Sequence, residues 1–172
     1  SDRTQWCYQR LGFNLTLYNF YLQETANRAN DENYKLYRAE VRFLRALHYW
    51  YFLDLWNKAP FKDETYTIDE LPDEKGGEGL YNWLDEELTA IESEMAPIGS
   101  FNNSTHFGRV DQGAAFLLHA RLALNSESYT NGAVKDYDKA IDYCDSLINS
   151  NKYSLAKNPV TNPVNGITYS GY

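Results

Sequence analysis

Two cysteines in 172 residues, Cys7 and Cys144, are too few for a disulfide framework, and their spacing fits no metal site. No run of about 18 apolar residues free of charge occurs, so no segment reads as a membrane-spanning helix. Neither cysteine follows a short apolar run, so neither reads as a lipid-anchor site within this chain. Basic residues are in the minority: 16 Lys and Arg face 24 Asp and Glu, a formal net charge of −8. A polyanion is repelled on average, so nucleic acid is not an expected partner. The motifs of common catalysis are missing too: no H-E-x-x-H, no G-x-S-x-G, no P-loop and no Cys/His cluster. The sequence therefore gives catalysis little support and shows no motif for a cofactor or a metal, with calcium on loop Asp and Asn oxygens left open.

What is present is a folding composition. Apolar residues make up 43% and aromatics 16%, with fifteen tyrosines, enough for one domain with its own core. Five segments repeat apolar residues with the period of a helix, which predicts helices near 5–26, 32–56, 80–95, 110–126 and 134–150. Their apolar stripes are Leu11, Leu15, Tyr18 and Leu22; Tyr37, Val41, Leu44, His48, Tyr51 and Leu55; Leu80, Leu84, Leu88, Ile91 and Met95; Gly113, Leu117, Ala120 and Leu124, and also Ala115, Leu118 and Leu122; and Val134, Tyr137, Ile141, Cys144 and Ile148. No stretch alternates with period two for long enough to compete as a strand. The long connection from Asn57 to Gly79 and the stretch from Ala96 to Arg109 read as irregular, with Gly76 to Gly79 as a turn. Small residues at Gly113, Ala114, Ala115, Ala120 and Ala123 let a neighbouring helix approach closely. The expected fold is all-α, a degenerate TPR-like helix-turn-helix array with long loops. The scaffold spans about 5–155, with an irregular tail over 156–172.

The second segment, "YRAEVRFLRALHYWYFLDLWNKAP", holds Arg38, Arg42, Arg45 and Glu40 within an aromatic and aliphatic run. Phe43, Leu47 and Trp50 form a second apolar face beside the Tyr37–Leu55 seam, so the helix is expected to be packed on most sides. Its arginines then need carboxylates, which Glu40, Asp54 or the acidic third helix can supply. Asp31 is the expected N-cap. On the third helix Asp85, Glu86, Glu92 and Glu94 are expected to face water, and the runs Asp69–Glu70 and Asp85–Glu87 read as solvated. His48 and His119 read as core-edge residues within their helices.

These blocks resemble the SusD/RagB family of Bacteroidetes. Ala39, Glu40, Arg42, Phe43, Leu44, Arg45 and Ala46, then Tyr49 to Phe52 and Pro60, match its hallmark helix. "GRVDQGAAFLLHARLAL" and "YDKAIDYCDSLINSNKYSL" resemble the second and third hallmarks, with "YNFYLQET" and "LYNWLDEELTAIE" in family order. The family often has Phe-Gly after the first hallmark helix; here it is Trp56-Asn57, and Asn can still form the left-handed cap. The resemblance implies a SusD-like alpha-alpha superhelix. It also implies a non-enzymatic, lipid-anchored protein on the outer membrane, at the cell surface. Such a protein binds glycans or peptides as the lid of a SusC-like TonB-dependent transporter. Family members are much longer, so these residues are expected to form part of a larger molecule whose later helices cover the fourth and fifth. The competing expectations are a TPR-type adaptor that holds a protein partner and no small ligand and, ranked last, a helical glycan hydrolase.

Flat rings stack on the apolar faces of sugars while amides and cations take the hydroxyls. Aromatics off the helical stripes are therefore the candidates for ligand contact. Trp6 and Gln9 lie one turn apart before the first strong seam, and Tyr66, Phe101 and His106 lie in the irregular connections.

Overall fold

The structure is a computed structural model that describes residues 2–67, 70–101, 106, 108–155, 159–161 and 166–169. Helix α1 runs Asp2–Glu24 and a 3-10 turn, Ala26–Arg28, leads into α2, Glu32–Trp56. Strands β1, Lys58–Phe61, and β2, Asp73–Gly76, precede α3, Gly77–Glu92. Helix α4 spans Gln112–Leu124, α5 is the single turn Ser126–Tyr129, and α6 spans Tyr137–Asn149. Strands β3, Val160–Thr161, and β4, Thr168–Tyr169, follow in the tail. Consecutive long helices pack on each other: α1 on α2, α2 on α3, α3 on α4, and α4 on α6. This is the helical array that the sequence predicts.

The caps are written locally. The Asp31 carboxylate accepts from the backbone N–H groups of Asn33 and Tyr34, which have no partner within the helix. Asn57 closes α2 in the left-handed region at φ 55° and donates to the Leu53 carbonyl at 2.9 Å. Asp111 caps α4 through Gly113 N–H at 2.9 Å, and its other oxygen takes Gly99 N–H at 2.7 Å. One carboxylate thus ties the irregular stretch before α4 to the helix it starts. Gly113 lets Tyr153 approach closely: a Cβ there would stand 2.6 Å from the Tyr153 hydroxyl, which would have to shift.

The core differs from the predicted stripes in three places. On α2 the innermost face is Ala39, Phe43, Ala46, Trp50 and Leu53, while Tyr37, Tyr51 and Leu55 of the predicted seam are exposed and Leu44 is half-buried. The two alanines explain the choice, because small side chains let neighbouring helices come close and so define the packed side. On α4, Leu117 and Leu124 are exposed, while Gly113, Ala115, Leu118, Ala120 and Leu122 are buried. On α6, Tyr137, Ile141, Cys144 and Ile148 face outward, and Ala140 is the helix's buried residue. The α1 and α3 stripes are buried as predicted, apart from Tyr18, which is half-buried.

Two hairpins contradict the expectation of no strands. β1 and β2 pair antiparallel from Lys58↔Gly76 to Phe61↔Asp73, and β3 pairs with β4 as Val160↔Tyr169 and Thr161↔Thr168. Strands of four and two residues are too short to show an alternation in sequence. The Gly76–Gly79 segment is accordingly not a free turn: Gly76 ends β2, and Gly77 to Gly79 begin α3.

Candidate functional site

The arginines of α2 are structural. Arg45 is 2% exposed and donates to Asn19 at 2.9 Å, to Glu87 at 2.8 Å and to Glu64. Arg42 grips the same Glu87 with two bonds, at 2.9 and 2.7 Å, and reaches Glu94 at 3.4 Å. The cluster joins α1, α2, α3 and the β1–β2 connection. Burial pushes the Glu87 carboxyl up, but the hydrogen bonds and charges of Arg42 and Arg45 outweigh it and hold it below the usual range. Arg38 instead donates to the Leu22 carbonyl at 2.6 Å and to the Thr25 hydroxyl at 2.7 Å. Glu40 pairs with Arg109 and Asp54 accepts from Tyr129, so neither serves the α2 arginines as expected; the third helix does.

The acidic face of α3 is solvated only in part: Glu86 is exposed as expected, but its neighbours are held internally. His119 on α4 is fully buried, with Nδ1 2.8 Å from Glu92 and Nε2 2.7 Å from Asp85. Lys139 on α6 pairs with Asp85, and the Tyr143 ring stacks on the imidazole at 4.3 Å. Both ring nitrogens face carboxylates, which is the environment of an imidazolium that donates twice. Burial lowers its pKa, the two carboxylate hydrogen bonds raise it, and the net direction is up. Asp85, Glu87, Glu92 and Glu94 are therefore internal ion-pair partners; Asp69 lies outside the described residues. His119 is no core-edge residue, because the carboxylates that bury it come from another helix and leave no mark in its own periodicity.

The five ligand candidates fall at three places. Trp6, 75% exposed, and Gln9 stand together with Arg10 and Phe13 around a shallow cleft of about 280 Å³ on the outer side of α1. Phe13 escaped the sequence reading, yet it lies two turns after Trp6, opposite the buried Leu11–Leu15 stripe, and that spacing was there to be read. Tyr66 is half-buried in the β1–β2 connection, with the Lys62 ammonium 3.8 Å from its ring centre. Its carbonyl accepts from Gln23 at 3.0 Å, and Asn19 and Tyr49 hold the Lys62 carbonyl, so this loop is laced to α1 and α2. Burial pushes the Tyr49 hydroxyl up to about 12. Phe101 and His106 lie together, ring centres 5.6 Å apart, with the Arg109 guanidinium 4.3 Å over Phe101. Phe101 also borders an apolar groove of about 560 Å³ between α4, α6 and Tyr153–Leu155. Trp6 with Gln9 and Phe101 with His106 are thus brought together; Tyr66 stands apart from both pairs.

Chemically the α1 cleft offers an accessible flat ring, an amide and a cation. Among the described residues no three His, Cys, Asp or Glu are placed to hold a metal ion, and no helix is long and apolar enough to cross a membrane. Asn14, which opens an Asn-Leu-Thr glycosylation pattern, sits within α1, and its amide lies 3.0 Å from the His48 ring.

No family model matches the chain. The starch-binding protein SusD of Bacteroides thetaiotaomicron is 46% identical over 158 residues, 92% of this chain and 27% of SusD. A SusD-like protein of Formosa agariphila is 27% identical over 74% of this chain and 23% of its own length. The chain thus spans about a quarter of the curated relatives it matches. A SusD superfamily protein of Parabacteroides distasonis superposes with a TM-score of 0.75 at 24% identity, over 88% of this chain and 32% of that one. A surface glycan-binding protein of Bacteroides uniformis gives 0.67 at 22%, over 88% and 32%. These solved structures share its helical fold. Hallmark residues, fold and a 46% identical relative agree: over the residues it spans, this chain belongs to the SusD/RagB family.

Proposed function

We propose that these residues are the helical scaffold of a carbohydrate-binding protein on the bacterial cell surface. The protein captures glycans without catalysis, and peptides are the second ligand class it would take. The observation that carries this reading is the 46% identity, over nearly the whole chain, to a protein named for binding starch. The α1 cleft gives it a physical basis, with Trp6 as stacking platform and Gln9 and Arg10 as partners for hydroxyls. In this reading the molecule is lipid-anchored at the outer membrane and closes over a SusC-like TonB-dependent transporter. Packed helices give a broad rigid surface to the barrel, and irregular segments carrying Tyr66, Phe101 and His106 turn to the nutrient.

Calorimetry with starch oligosaccharides, other glycans and peptides tests the proposal. Trp6→Ala should weaken glycan binding about tenfold or more, the loss of roughly 1.4 kcal/mol. Its melting temperature should hold, since a side chain 75% exposed contributes little to packing. If no panel member binds and a soluble protein co-purifies, the adaptor reading replaces this one.

A further inference from the structure

Helix α1 repeats itself along its outer side. Trp6, Phe13 and Phe20 stand seven residues apart, 75%, 59% and 58% exposed. Each is followed three residues later by a side chain that bonds hydroxyls: Gln9, Thr16 and Gln23. Seven residues bring a helix back to nearly the same side, turned by about 20°, and advance it by about 10.5 Å. The three rings therefore form one gently twisted line opposite the buried Leu11, Leu15 and Leu22, with a polar edge running beside it. The Thr16 hydroxyl donates to the Gly12 carbonyl at 3.2 Å, and the Gln23 amide donates to the Tyr66 carbonyl at 3.0 Å, so each keeps its oxygen as an acceptor.

Charge narrows what fits this line. From Thr4 to Gln23 the one charged residue is Arg10, in a chain of which 23% is charged. A seam for a partner helix is edged with charges that set partner and register. This line is edged with amides and a hydroxyl, which suit an uncharged chain rich in hydroxyls. Shape narrows it further. In a β-1,4-linked chain of hexoses joined through equatorial bonds, each sugar is turned over relative to the one before. Such a chain runs straight, and every second sugar shows the same face, at a repeat close to the distance between these rings. An α-1,4-linked chain curves and leaves a straight line of rings within a few sugars. Resting on the reading of the α1 cleft as a glycan site, we infer that Trp6, Phe13 and Phe20 form a linear platform for an extended, uncharged β-1,4-linked glycan, with one ring under every second sugar.

Calorimetry on the product of the complete gene tests this, with unbranched cello- and manno-oligosaccharides of two to six sugars and malto-oligosaccharides of the same lengths. Affinity for the β-1,4 series should rise in steps of about fivefold, from two sugars to three and again from four to five, as a second and then a third ring is reached. The malto series should show no such steps. Phe20→Ala should remove the step at five sugars and keep the step at three. Phe13→Ala should remove the step at three and keep the step at five, and Phe20→Tyr should keep both. A β-1,4 series without steps, the same steps in the malto series, or steps that survive both alanine variants overturn the platform while glycan capture stands. A fall in melting temperature in Phe13→Ala or Phe20→Ala marks these rings as packed against the rest of the polypeptide and overturns it as well. Binding of no glycan at all overturns the reading on which the platform rests.

Discussion

Arg45 shows how much a single buried side chain can hold in place. Its guanidinium touches α1 through Asn19, α3 through Glu87 and the β1–β2 connection through Glu64. Arg45→Met keeps the bulk but leaves Glu87 buried with Arg42 as its remaining partner. It should cost about 3–5 kcal/mol in urea unfolding, the range for breaking a buried pair. Adding Glu87→Gln should recover part of that loss; an Arg45→Met protein as stable as the parent would mean the cluster is solvated. Truncations of leucine separate core from periphery. Leu84→Ala, at a fully buried site, should cost about 2–5 kcal/mol. Leu44→Ala should cost less, because Leu44 is only half-buried, at the margin of the core. Equal losses would put the predicted Tyr37–Leu55 seam back in the core.

Between elements, the His119 cluster is a pH-sensitive tie. Asp85 and Glu92 come from α3, His119 from α4, and Lys139 and Tyr143 from α6. The folded state raises the His119 pKa above its value in the unfolded chain, about 6.5. Folding therefore gains stability from the imidazolium that is complete below about pH 6.5 and fades as pH rises through the folded value. Asp85 is shifted the other way, down, by the His119 and Lys139 hydrogen bonds against the upward push of burial. Its contribution is present above the usual carboxylate range and fades only in acid. Burial lowers the pKa of His48, and its effect is to reduce stability as pH falls below about 6.5, the opposite sense and a lower window. Thermal melts should accordingly show the melting temperature declining from pH 6.5 upward, and His119→Gln should flatten that decline while lowering the whole curve. A decline that persists unchanged in His119→Gln would assign it elsewhere.

The same elements show what a sequence can and cannot reveal. Caps are local, so Asp31 and Asn57 were legible from their own neighbours. Helix periodicity is also local, so all five long helices were found, with ends shifted by a few residues. Which stripe faces inward is not local. The α6 stripe is as regular as that of α3, but regularity tells only that a helix has an apolar side, not whether its partner lies within these residues. The acidic side of α3 read as solvated because the side chains that neutralise it come from α2, α4 and α6. At the candidate site, Trp6 and Gln9 were visible as off-stripe residues one turn apart. Arg10 and Phe13 joined them only once exposure was known.

At the scale of the whole molecule, stability should be graded along the array. Helix α2 is packed between α1 and α3, and those two bury continuous leucine stripes against it. Helix α6 stands at the other end, held by Ala140, the Tyr143 stack and the Lys139–Asp85 pair, with its apolar stripe in water. In a repeat-like array each unit is supported chiefly by its neighbours, so an end unit with one open side opens first. Native-state hydrogen exchange should find the amides of α6 exchanging through a local opening well below the global unfolding free energy. Amides in the middle of α2 and α3 should exchange only on global unfolding. His119→Gln should lower protection in α6 more than in α1, because it removes part of the tie between α6 and α3 and leaves the α1–α2 contacts untouched. If α6 proves as protected as α2, the packing of Ala140 and Tyr143 is enough to make the chain a single cooperative unit, and the open stripe costs the fold nothing.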